Sequence, residues 1–172
     1  MKDTENKSIN VHTLAQLAFF CALMVGLKEA MNVLPNIHPV MLLIILCVKL
    51  YRGKAIYPVI GFIIIETFIY GINLWTICYL YIWPLYTLIA CLLSKNESVI
   101  FWAVFAGLCG LLFGALSALT TFVISGFEAA VAYWISGITF DLIHCASNFV
   151  IVLVLYKPLY NLLLKLKAKY DN

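Results

Sequence analysis

Residues 133–148 read YWISGITFDLIHCASN, and the reading of this stretch decides the fold. It lies inside a long apolar run, yet Asp141, His144 and Asn148 recur at i, i+3 and i+7. On an α-helix those positions share one face. A carboxylate, an imidazole and an amide at hydrocarbon depth are costly unless they face a bundle interior or a polar cavity, and there they mark function. The stripe predicts one wall of a solute pocket whose other walls come from the rest of the chain. Asn148 has a second use, as an interhelical hydrogen bond.

Outward from this stretch the chain stays apolar. Its 172 residues are 65% hydrophobic and 11% charged, with a mean hydropathy of +1.02. Soluble domains average about a quarter charged residues, so the composition predicts an all-α, polytopic membrane protein. A span takes about 20 apolar residues. Apolar runs lie at Leu14–Val33, Val40–Leu50, Ala55–Ile72, Ile77–Leu93, Val99–Ile124 and Ala129–Tyr156. They predict six transmembrane helices in one domain covering residues 1–172. A polar N-terminus (about 1–12) and a basic tail (about 157–172) flank the spans. The second run is short and is expected to be lengthened or tilted to cross. Merging it with the third would bury the YRGK break (Tyr51–Lys54) in the membrane, so six spans are preferred to five.

Charge sets the orientation. With six spans, the termini and the second and fourth breaks share a side. That side holds Lys2, Lys7, Lys49, Arg52, Lys54, Lys95, Lys157, Lys165, Lys167 and Lys169, and the remaining basic residue, Lys28, lies in the first span. The positive-inside rule places both termini in the cytoplasm of a cell membrane. The net charge of +3 therefore describes topology, and no nucleic-acid partner is expected. The start, MKDTENKSINVHT, does not read as a cleaved signal peptide. Cys21, Cys47, Cys78, Cys91, Cys109 and Cys145 are scattered singly through apolar runs and read as packing residues.

Two ridges of small residues stand out. Ala18, Ala22, Gly26 and Ala30 recur every fourth residue in the first span, a pattern that lets another helix approach closely. That helix belongs either to this bundle or to a partner. Gly107, Gly110, Gly114 and Ala118 form a second ridge, assigned to internal packing.

Polar and aromatic groups at depth gather in the outer half. Lys28, Glu29, Asn32, Asn36 and His38 lie at the outer end of the first span and its loop; Glu66, Asn73 and Trp75 lie in the outer part of the third and its loop. Tyr79, Tyr81 and Trp83 occupy the fourth, and Glu128, Tyr133 and Trp134 lead down to Asp141 and His144. An outward-facing pocket with aromatic walls and a few polar anchors fits this distribution. Glu66 and Asp141 are the strongest anchors, because a carboxylate at depth needs a partner. His38 reads as a loop residue, and Trp75, Trp102 and Trp134 suit an interfacial belt equally well.

Catalytic signatures are missing from the sequence. There is no GxxxxGK[ST] loop for ATP and no HExxH, nor any recognisable nucleophile setting. Asp141 and His144 have ligand-like spacing without a third ligand, so neither a metal nor a cofactor is expected. The chain reads as a non-catalytic subunit.

Six spans in so short a chain, the ladder in the first helix and the polar outer pocket together resemble the S component of an energy-coupling factor (ECF) transporter, the substrate-binding subunit of vitamin importers. LPNIHPVMLLIIL (Leu34–Leu46) is similar to the PN-x-x-P-V segment of several such subunits. WPLYTLIACLL (Trp83–Leu93) and FDLIHCASNFVIVLVLYKPLY (Phe140–Tyr160) are similar too. The resemblance implies that Ala18, Ala22 and Gly26 contact a membrane-embedded T subunit, itself coupled to two ATPase subunits that hydrolyse the ATP. It implies substrate binding near the outer face at Asn36, Tyr79, Trp83, Tyr133, Asp141, His144 and Asn148, to which the residue reading adds Glu66. It also implies delivery by toppling of the whole subunit. The Met-His start of the nickel and cobalt members is missing, since residue 2 is Lys; a metal cargo is disfavoured.

Depth-placed carboxylates outnumber cations here, and Arg occurs once, in a cytoplasmic loop. The expected cargo is therefore a water-soluble vitamin or related micronutrient that is a neutral or cationic heterocycle, such as a vitamin B6 form or a thiamine-like compound. A self-sufficient secondary carrier is the alternative. It would normally show a repeat or broken helices, and neither is legible in the sequence.

Overall fold

The computed structural model describes residues 10–170. Among them every regular element is helical. α1 (Val11–Ala30) starts at Asn10, whose side chain accepts from the Thr13 N–H at 2.7 Å. α2 (Val40–Tyr51) is followed by a single 3-10 turn (Arg52–Ala55) and α3 (Ile56–Tyr70), which Gly71 ends at φ 74°. α4 (Leu74–Leu92) opens with a capping box in which Asn73 and Thr76 satisfy each other's first-turn amides. α5 (Val99–Leu111) is capped by Ser98, and α6 (Phe113–Ser125) ends at Gly126. α7 runs from Phe127 to Tyr170.

Four helical stretches are long and apolar enough to cross a membrane by length and composition: Val11–Ala30, Leu74–Leu92, Val99–Ser125 and Phe127–Lys169. α2 and α3 fall short at 12 and 15 residues, about 18 and 22 Å at 1.5 Å per residue. The second run is thus not lengthened as expected. α2 is the core of the bundle, with every residue from Val40 to Val48 buried. A helix surrounded by other helices need not match the thickness of a bilayer.

Two further differences from the sequence reading concern the last two runs. The fifth is broken at Leu112 into α5 and α6. The basic tail is no loose appendage: α7 continues through Pro158, and Leu159, Tyr160 and Leu163 pack on the core. Residues 1–9 of the polar N-terminus, with Lys2 and Lys7, lie outside the described residues.

The bundle has two chemically distinct ends. At one, Lys49 Nζ donates to Ser94 O, Asn96 O and Glu97 Oε1 at 2.7 to 2.9 Å, Arg52 donates to Ser94 Oγ, and Lys167 donates to Leu50 O. This basic end gathers the α2–α3 turn, the α4–α5 loop and the end of α7. At the opposite end Asn32 donates to Tyr70 Oη and Asn36 to Phe140 O, joining the α1–α2 loop to α3 and α7.

Candidate functional site

α7 turns its polar stripe inward. Asp141, His144 and Asn148 are at most 5% exposed, and the same face continues through Val152 and Tyr156. Asn148 donates to Ala106 O on α5 at 3.2 Å, an interhelical bond. Asp141 lies beside the break between α5 and α6, where its Oδ1 accepts from the Gly114 N–H at 3.0 Å. That amide belongs to the first turn of α6, which cannot satisfy it internally, and the helix dipole favours a carboxylate there.

The glycine ridge explains how α7 comes so close. A Cβ on Gly110 would stand 2.7 Å from the His144 carbonyl carbon and oxygen, and one on Gly114 would overlap the Asp141 carboxylate. The second ridge is internal packing, α5–α6 against α7.

Around His144 the aromatic rings close into a cage. Its imidazole centroid is 5.2 Å from that of His38 and 5.3 Å from the Phe113 ring. Phe113 lies 5.7 Å from Trp83, which also meets Tyr79 at 5.6 Å and Phe62 at 5.9 Å. Most of these pairs are edge-to-face, the arrangement favoured by ring quadrupoles. His38 sits outside the helices, in the α1–α2 loop. Burial, reinforced by the Lys28 charge, pushes its imidazole down to about 4, so it is neutral at pH 7.

A second polar group lies on α1 and α3. Glu66, 1% exposed, takes Lys28 as its partner at 2.5 Å. Lys28 also meets Glu29 at 2.9 Å and lies over the Tyr70 ring at 4.7 Å. The Tyr70 hydroxyl donates to Glu29 at 2.6 Å. The carboxylate that sequence reading singled out is thus half of a buried ion pair, with Oε1 left over.

Unpaired buried atoms concentrate near these groups. Among the described residues eight buried side-chain polar atoms have no hydrogen-bond partner. Seven lie in the half away from the basic end: His38 Nδ1, Glu66 Oε1, Trp83 Nε1, Ser117 Oγ, Asp141 Oδ2 and both His144 nitrogens. Tyr156 Oη is the eighth. The large majority of buried side-chain polar atoms are normally paired, and each orphan costs about 1–3 kcal/mol. This concentration singles out the region around His144 and Glu66 as the candidate site.

The other candidates are placed differently. Asn36 adopts φ 59°, a left-handed conformation that Asn tolerates. Its amide donates to Phe140 O at 3.1 Å, and its carbonyl accepts from Ser147 Oγ at 2.9 Å. It pins the loop bearing His38 onto α7. Tyr133 is half-buried two turns before Asp141. Ala18, Ala22 and Gly26 are all exposed, on the side of α1 opposite the buried Leu17, Phe20 and Met24. Trp102 is buried and donates to Asn96 O, whereas Trp75 and Trp134 are exposed as a belt requires.

No protein-family model, curated protein or solved structure matches this chain. Its function is therefore read from the site.

Sequence reasoning named His38 but read it as a loop residue, and it did not single out Phe113 or Phe62. His38 belongs to a loop, where no periodicity assigns a face. Phe113 sits at a break inside an uninterrupted apolar run, and Phe62 in a run apolar on every side. Among the described residues no cluster of three or more His, Cys, Asp or Glu is arranged to hold a metal ion. At the basic end, a groove of about 310 Å³ lies between α1, α2 and α7, lined by Gln16, Phe20, Tyr51, Leu163 and Lys167 among others. It contains none of the orphaned atoms.

Proposed function

We propose that this chain is the substrate-binding subunit of an ECF-type importer in the cell membrane, with six spans and both termini cytoplasmic. It captures a water-soluble vitamin or related micronutrient from outside and delivers it by reorienting with a T subunit. Two ATPase subunits hydrolyse the ATP. One observation carries this reading: seven orphaned polar atoms gather in and around an aromatic cage, in the half of the bundle remote from the basic residues. Under the positive-inside rule that half faces outward, where a cargo arrives. The exposed Ala18, Ala22 and Gly26 face of α1 supports a helical partner.

The test is purification of the tagged chain in mild detergent from the cells that make it. The proposal expects a T subunit and two ATPases to co-purify, and Ala22→Leu to release them. A chain that purifies alone would sink it. The break at Leu112 favours a second reading, a self-sufficient carrier, because discontinuous helices with half-helix N-termini at depth are a carrier device. That reading expects solute uptake into vesicles holding this chain alone, without ATP.

A further inference from the structure

The unpaired atoms of the cage define what would satisfy them. Trp83 Nε1 can only donate, whereas Asp141 Oδ2 and Glu66 Oε1, as carboxylate oxygens, can only accept. A neutral His144 offers one donor and one acceptor, both without partners. A fitting ligand therefore needs donors for the carboxylates and an acceptor for the indole. The walls are flat rings of Phe62, Tyr79, Trp83 and Phe113, which suit a planar body.

Charge narrows the class. Among the described residues of this half, Lys28 is the sole Lys or Arg, and Glu66 and Glu29 already hold it. Arg52 is at the basic end, bonded to Ser94. A carboxylate or phosphate entering the cage would be left without a cationic partner at a steep desolvation cost. A purely apolar ring would leave the orphaned atoms unpaired.

We propose that the solute is a planar, amino-substituted nitrogen heteroarene, neutral or singly positive and free of acidic groups. Its amino N–H groups meet Asp141 Oδ2 and His144, a ring nitrogen accepts from Trp83 Nε1, and its faces lie against the aromatic walls. This rests on the reading of the chain as a solute-binding subunit and adds the cargo's chemical class.

The test uses the purified full chain, with thermal unfolding and tryptophan fluorescence as readouts. The probes are thiamine, adenine and 4-aminopyrimidine, set against hypoxanthine, nicotinate and pantothenate. Saturable binding of an amino-heteroarene, weakened at least about tenfold by Asp141→Asn and by Trp83→Phe, is the expected result. Trp83→Phe keeps an aromatic side chain while removing the indole N–H, so it serves if Asp141→Asn fails to fold. Saturable binding of nicotinate or pantothenate instead would overturn the class while leaving the subunit reading intact. So would no binding by any probe from a chain that co-purifies with its ATPases. Neither binding nor co-purification would remove both.

Discussion

Gly26 on α1 and Gly110 on α5 belong to the same small-residue spacing, yet a methyl group added to each would meet opposite surroundings. At Gly26 it would find no atom within 4 Å; at Gly110 it would stand 2.7 Å from the His144 backbone carbonyl. In the second ridge the space left by missing side chains is filled by the chain's own α7. In the first the space is left open. A small-xxx-small pattern therefore states that a backbone will come close without stating whose backbone it is. The inner ridge also carries chemistry, since the absence of a side chain at Gly114 lets Asp141 reach its amide.

The comparison can be broken most directly at Gly110. Gly110→Leu forces α5 away from α7 and should cost more than about 3 kcal/mol, the upper range of overpacking, measured by unfolding in detergent. A folded variant of near wild-type stability would show that the contact with α7 is loose. Gly114→Ala should cost about 2 kcal/mol, and much of that should vanish in an Asp141→Ala background. A double-mutant cycle giving no coupling would refute the close fit of carboxylate to glycine.

Acid sharpens the contrast further, because His38 packs on His144 beside the inner ridge. Its folded value of about 4 lies below the usual 6.5. Between those two values the unfolded chain binds the extra proton, so His38 leaves stability intact above about pH 6.5 and lowers it as the pH falls towards 4. Melting at pH 5 against pH 7 should register a loss of about 2 kcal/mol from this group. His38→Gln should flatten that dependence, and an unchanged slope would show that His38 is not held neutral.

The smallest effect belongs to the outer ridge. Ala22→Leu should change stability by less than about 0.5 kcal/mol, as exposed substitutions do. Its consequence should appear as lost association with partner subunits on co-purification. A large drop in melting temperature would mean that Ala22 packs against its own bundle after all.

Much of the site was legible because periodicity is a local property. The stripe of Asp141, His144 and Asn148 faces inward because helical geometry leaves those three positions no choice of relative direction. Glu66 had to find a counter-charge at depth, and Lys28 supplies it. The glycine ridge was assigned to internal packing on its pattern, and α7 fills it.

Other features depend on distance between segments and leave no local trace. Leu112 interrupts a span with neither proline nor a polar residue to announce it. His38 joins the cage only because Asn36 pins its loop to α7. The tail continues as helix because Leu159, Tyr160 and Leu163 find a core to pack on, which composition alone could not reveal.

By itself, then, the sequence determined an apolar helical chain, the facing of each polar stripe, and the segregation of its basic residues into a few breaks and the tail. Those follow from hydropathy, period and charge, which are properties of neighbours along the chain. Tertiary structure alone decided which helix fills the inner ridge, which loop closes the cage and which buried atoms go unpaired, because each depends on what another segment brings within hydrogen-bond or van der Waals reach.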